Sequence, residues 1–194
     1  MTEYDGVVLA GGSGSRLGGS GKPTLRVGST RLIDVAIAAL AGARRVIAVG
    51  PATPTAAPLH WTREQPPGGG PVAALAAGLR AVTSPWVVVL AADLPFVTEA
   101  AVAALVAQAA GRGGALAVDD AGRDQPLLAC YRTAALHRVV PEPAGGRSMR
   151  ALVRALDAGA PLARVSLEGS PPPWRDCDTP DQLAQARRIG AARG

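Results

Sequence analysis

The residues best placed for chemistry lie in one loop, Leu9-Ala-Gly-Gly-Ser-Gly-Ser-Arg-Leu-Gly-Gly-Ser-Gly-Lys22-Pro. Glycines let a backbone approach a ligand closely and aim successive N–H groups at phosphate oxygens, while Arg16 and Lys22 supply countercharge. Of the 20 basic residues only Lys22 is a lysine, which marks a position that needs a compact ammonium on a flexible stem. Two better-known phosphate loops fail on spacing. A Walker loop requires glycine where Arg16 stands and a hydroxyl residue where Pro23 stands, and a dinucleotide fingerprint starting at Gly12 requires glycine at Leu17.

A second chemical element is Asp93, which follows the apolar run Val87-Val-Val-Leu-Ala-Ala. A carboxylate just beyond the carboxyl end of a central strand sits where open α/β sheets bind ligands, and its oxygens suit a hard cation such as Mg²⁺. A third is Trp174-Arg-Asp-Cys-Asp178, whose two carboxylates share one face if the segment is extended. The segment Gly145-Gly-Arg147-Ser-Met-Arg150, at the start of a predicted helix, suits an anionic group. Together these elements describe a nucleotidyl-transfer site, in which cations gather the charge developing on the α-phosphate and the leaving pyrophosphate.

These groups must be positioned by elements punctuated by 24 glycines and 17 prolines. Short β-branched runs at Gly6 to Ala10, Arg45 to Val49 and Trp86 to Leu90 read as strands buried on both faces, with Ala115 to Val118 a weaker fourth. Apolar spacing of three and four residues predicts helices over Arg31 to Leu40, Val72 to Ala81 and Glu99 to Ala110. Alternating strand and helix implies an open, mostly parallel sheet. Beyond residue 122 the alternation loosens. The pattern there predicts strands over Pro126 to Tyr131 and Leu162 to Leu167, and helices over Thr133 to Val139 and Arg147 to Ala158. A final helix starts at a Thr179-Pro-Asp-Gln182 capping box. The expected organisation is one domain over 1–194, with a nucleotide-binding half (1–120) and an acceptor-side half with the C-terminal helix (121–194).

Composition narrows the function classes. With 48% hydrophobic and 18% charged residues, the 194-residue chain has material for a core and no signature of disorder. No apolar stretch reaches the roughly 18 residues of a membrane span, and the acidic start lacks a cationic secretion signal, so a cytoplasmic protein without membrane association is expected. The net charge of +5 is spread along the chain, which argues against nucleic acid and for an anionic small ligand. Cys130 and Cys177 read as reduced core residues, and the isolated His60 and His137 argue against zinc.

The motifs Leu9-Ala-Gly-Gly12 with Arg16, Gly18-Gly19 and Lys22, then Gly70-Pro71, Ala92-Asp93-Leu-Pro95, Arg123-Asp-Gln125-Pro and Asp178-Thr-Pro-Asp-Gln-Leu183 resemble molybdenum cofactor guanylyltransferases of the MobA type. The resemblance covers nearly the whole chain in the same motif order. It implies a Rossmann-like three-layer α/β sandwich of the nucleotide-diphospho-sugar transferase type. It further implies Mg²⁺-dependent transfer of GMP from GTP to the phosphate of Mo-molybdopterin, with release of pyrophosphate. Leu9, Ala10, Gly11, Gly12, Gly70 and Pro71 would then line the nucleotide. Arg16 and Lys22 would hold the triphosphate and act in catalysis with Asp93, which would bind Mg²⁺ with Asp178 as a second ligand. Arg123, Gln125 and Arg147 would face the acceptor, and transient contact with cofactor-biosynthesis proteins or molybdoenzymes is implied. The chain departs from the family pattern at Gly21, at Gly50 and at the Asp176/Asp178 pair, the last being closer to the cytidylyltransferase branch. Transfer from CTP, a sugar-phosphate acceptor and a non-catalytic nucleotide-binding role are the alternatives.

Overall fold

The computed structural model describes residues 2–11 and 24–191. Arg16, Lys22, Gly12 and the rest of the glycine loop from 12 to 23 lie outside them. Seven strands form one sheet in the order β5-β4-β1-β6-β8-β7-β9. Its parallel part consists of β1 (Tyr4–Leu9), β4 (Val46–Val49), β5 (His60–Thr62) and β6 (Trp86–Ala91). Strand β8 (Asp124–Arg132) runs antiparallel to both β6 and β7 (Gly114–Val118), and β9 (Leu162–Ser166) returns parallel to β7. A small hairpin, β2 (Arg26–Val27) with β3 (Thr30–Arg31), stands apart.

Strand alternation divides the side chains between two cores. Val7, Val49, Val87 and Val89 face one side and pack with helices α2 (Pro71–Leu79), α4 (Thr133–Val139) and α5 (Met149–Gly159). Val8, Val88 and Leu90 face the other, against α1 (Leu32–Ala39) and α3 (Glu99–Ala109). The result is three layers. All six β1 residues are buried, as a strand covered on both faces requires, and each fully buried Val or Leu contributes about 2 kcal/mol. Helix α6 (Pro180–Ala191) closes a third cluster, in which Leu183 and Ala186 meet Val27, Leu32 and Phe96.

Local signals set the ends of these elements. Thr98 caps α3 by accepting from the Ala101 amide. At α6 the Thr179 hydroxyl accepts from the Gln182 amide, while Gln182 Oε1 accepts from the amides of Asp178 and Thr179, the reciprocal capping box expected from the sequence. Inside the sheet, buried Asp5 on β1 accepts from the amides of Thr83 and Ser84 and from the Ser84 hydroxyl, tying β1 to the turn that leads into β6. No helix among the described residues is long and apolar enough to cross a membrane.

Candidate active site

A cavity of about 700 Å³ opens at the carboxyl ends of β1 and β6, the strands between which the order of the sheet reverses. That reversal leaves a crevice with no crossover above it. Leu9, Ala10 and Gly11 line the cavity from β1, and Ala91, Ala92, Asp93 and Leu94 line it from β6. Because β8 is antiparallel, its beginning lies beside the end of β6, so Gln125, Pro126, Leu127 and Leu128 enter the same cavity. Trp174, Asp176 and Asp178 close it from the segment before α6. The Cys177 amide donates to the Asp93 carbonyl at 3.1 Å, which pins that segment to the Asp93 loop.

The β1 end is built for backbone contact. Gly50, at φ +151°, packs so closely that a Cβ there would come within 2.7 Å of the Ala10 carbonyl carbon and 2.9 Å of the Gly11 amide nitrogen. Glycine at 50 is therefore dictated by the close approach of two strand ends. Across the cavity mouth, Gly70 takes φ +87° at the N-cap of α2 and Pro71 occupies the first turn. The α2 N-terminus thus presents its field, favourable to negative charge, at the rim.

Glu64 is a residue that motif reading passed over. Its carboxylate is nearly buried and lines the cavity. Oε1 accepts from the Gly68 amide at 3.1 Å, whereas Oε2 is buried with no hydrogen-bond partner among the described residues. The available signal was an acid separated by Gln65 alone from the Pro66-Pro67-Gly68-Gly69-Gly70 run. Buried carboxylate oxygens ordinarily accept a hydrogen bond, so Oε2 is placed to accept one from a group that enters the cavity.

Of the residues expected from the sequence, Leu9, Ala10, Gly11, Gly70, Pro71, Asp93, Gln125 and Asp178 line this one cavity. Arg123 and Arg147 do not line it. Arg123, whose side chain is 78% exposed, donates through Nε to Asp119 at 2.7 Å. Arg147 is exposed two residues before the cavity-lining Met149, on a loop held by the Gly146 amide to the Gly69 carbonyl. Asp119 sits below the ordinary carboxylate range because hydrogen bonds from Arg123 and Ala121 outweigh its desolvation. Burial pushes the Cys130 thiol up to about 12, so it is inert core.

The donor set at the mouth is all oxygen: Asp93, Asp176 and Asp178. Among the described residues no group of three or more His, Cys, Asp or Glu side chains is arranged to hold a metal ion by itself. Mg²⁺ does not require one, since it is ordinarily held by one or two carboxylates together with phosphate oxygens and water. The residues present therefore fit that ion.

The family profile of the MobA-like NTP transferase domain matches residues 6–160. A probable molybdenum cofactor guanylyltransferase of Mycobacterium tuberculosis is 36% identical over 163 residues, covering 79% of this chain and 80% of that protein. Among solved structures, molybdopterin-guanine dinucleotide biosynthesis protein A from Archaeoglobus fulgidus aligns with a TM-score of 0.73 at 21% identity, covering 97% of this chain and 99% of the other. The 2-C-methyl-D-erythritol 4-phosphate cytidylyltransferase of Thermus thermophilus aligns with a TM-score of 0.72 at 23% identity, covering 98% and 100%. At these identities the structural likenesses establish the nucleotide-diphospho-sugar transferase type of fold alone. With the profile spanning most of the chain, the relative at more than a third identity and the cavity at the β1 and β6 strand ends, the chain belongs to the MobA-like NTP transferase family and is a nucleotidyltransferase.

Proposed function

We propose that this protein transfers GMP from GTP to the phosphate of Mo-molybdopterin in a Mg²⁺-dependent reaction that releases pyrophosphate. The acceptor phosphate oxygen forms a bond to the α-phosphorus, and the bond from that phosphorus to the β-phosphate bridging oxygen breaks. The naming of the mycobacterial relative supports this acceptor and this nucleotide. The single observation that carries guanine is the half-satisfied carboxylate of Glu64. An ionised carboxylate only accepts hydrogen bonds. Guanine offers adjacent N1–H and N2–H donors along one edge, whereas cytosine offers one donor group beside two acceptors.

In this reading the backbone of Leu9 to Gly11 and the Gly70-Pro71 rim cradle the nucleotide, and Arg16 and Lys22 neutralise the triphosphate. Asp93 and Asp178 hold Mg²⁺, which when bound offsets charge on the α-phosphate and the leaving group. The Asp176/Asp178 pair favours a second reading, in which CTP is the donor. The test is pyrophosphate release by the full chain with Mg²⁺, an active Mo-molybdopterin preparation and each of GTP, CTP and ATP. GTP is expected to support turnover best. Absence of pyrophosphate with GTP, or preference for CTP, would reject the assignment.

A further inference from the structure

The pairing of β8 changes abruptly along its length. Leu116 of β7 pairs with Ala129, but the next residue, Ala117, pairs with Gln125. Pro126, Leu127 and Leu128 therefore have no partner on β7, and together with Gln125 they form one wall of the cavity. Pro126 has no N–H to give a ladder, which is why proline in a sheet settles at bulges. A bulge exposed to a cavity needs something to hold its shape.

Two buried side chains do so. The hydroxyl of Tyr131, which is fully buried five residues along the same strand, donates to the Pro126 carbonyl at 2.9 Å. Burial raises the phenol's pKa, so it stays a neutral donor. From the end of β7, buried Asp119 accepts from the amides of Ala121 and Arg123 at 2.9 Å each and from Arg123 Nε at 2.7 Å. Its other contact, from Gln125 Nε2 at 3.5 Å, lies at the outer limit of a hydrogen bond. One group fixes the bulge from behind, and the other fixes the turn that feeds it.

The wall lies two strands from β1, about 10 Å across the sheet, on the side of the cavity away from the β1 strand end. We propose that Tyr131 and Asp119 are positioning residues that set the shape of the Gln125–Leu128 wall, and that this wall selects the phosphorylated acceptor. The acceptor part rests on the function proposed above. Neither residue touches the reacting atoms.

The test is the full chain carrying Tyr131→Phe, which removes only the hydroxyl, assayed by pyrophosphate release with GTP and Mo-molybdopterin varied separately. The expected result is a KM for the acceptor raised about 5- to 10-fold, the loss of one hydrogen bond, with the KM for GTP within about twofold and the Tm nearly unchanged. Asp119→Asn should move the same constants in the same direction, and it stands as the readout if Tyr131→Phe does not fold. Unchanged acceptor KM, or equal rises in both KM values, would overturn the proposal. If the wild type makes no pyrophosphate with Mo-molybdopterin, the proposed function fails, and the wall is then read by hydrogen exchange. Amides of Leu127 and Leu128 should exchange several-fold faster in Tyr131→Phe while those of Val7 and Val8 stay unchanged, and equal exchange refutes the positioning role.

Discussion

On the β5-β4-β1-β6 side of the sheet all strands run parallel, and the cavity is met by strand ends and by the N-terminus of α2. On the β8-β7-β9 side it is met by the flank of an antiparallel strand thrown out of register. The first side works through backbone geometry: Gly50 is pressed against Ala10, and Gly70 is turned to positive φ. The second works through side chains that brace a bulge, Tyr131 and Asp119. Backbone recognition suits the part of the ligand that does not vary, the polyphosphate. A braced bulge is shaped by a few side chains, here buried ones, Tyr131 of the core and Asp119 at the end of β7.

The sharpest way to break this comparison is at the chemistry between the two sides. Asp93→Ala and Lys22→Ala should each lower kcat about a thousandfold or more while the far-UV circular dichroism and the Tm remain near wild type. Near-normal pyrophosphate release in either variant would remove that residue from the proposed machinery. A smaller effect is expected at Glu64, where Gln restores a donor in place of an acceptor. Glu64→Gln should lower kcat/KM for GTP about 100-fold and narrow the preference over CTP. An unaltered GTP-to-CTP ratio would show that this carboxylate does not read the base. Gly50→Ala sharpens the backbone argument, since its methyl group collides with main chain rather than a movable side chain. The KM for GTP should rise roughly tenfold with that for the acceptor nearly constant.

Stability offers a control away from the site. Asp5→Ala removes the buried acceptor of the Thr83 amide and of the buried Ser84 amide and should cost about 3 kcal/mol by urea unfolding. Burial pushes the Asp5 carboxyl up, but hydrogen bonds from Thr83 and Ser84 and the nearby Arg45 outweigh it, so its pKa is lowered on folding. A depressed folded pKa means its stabilisation is complete above the ordinary carboxylate value near 3.9 and is lost as pH falls through the lower folded value. Wild-type stability should therefore drop on acidification in that window, and Asp5→Asn should flatten the drop. The smallest effect is expected for Thr98→Ala, about 1 kcal/mol from the lost cap of α3, with both KM values intact.

The parallel half was largely legible in the chain. Long β-branched runs and three-four spacing give strong periodic signals, and β1, β6, α2 and α3 lie within a residue or two of their expected positions. The hairpin β2–β3 and the edge strand β5 were not foreseen, because two or three residues are too short to show a period. The direction of β8 was equally silent, since alternation within a strand does not say which neighbour it joins. Motif reading found Asp93, Asp178, Gly70 and Gln125, which do converge. It passed over Glu64 because a lone acid carries no spacing signal, and its burial in the cavity wall is decided by the tertiary structure. The departure from the family pattern at Gly50 has its reason in packing against Ala10, which no sequence window shows.

What the amino-acid order determined by itself was local: where the longer strands and helices lie and which residues cap them. These follow from interactions within a few residues of one another. Only the folded arrangement decided that β8 runs backwards, that its bulge becomes a cavity wall, and that one oxygen of Glu64 is buried without a donor among the described residues. Those depend on contacts between segments tens of residues apart, whose energies no short window of sequence contains.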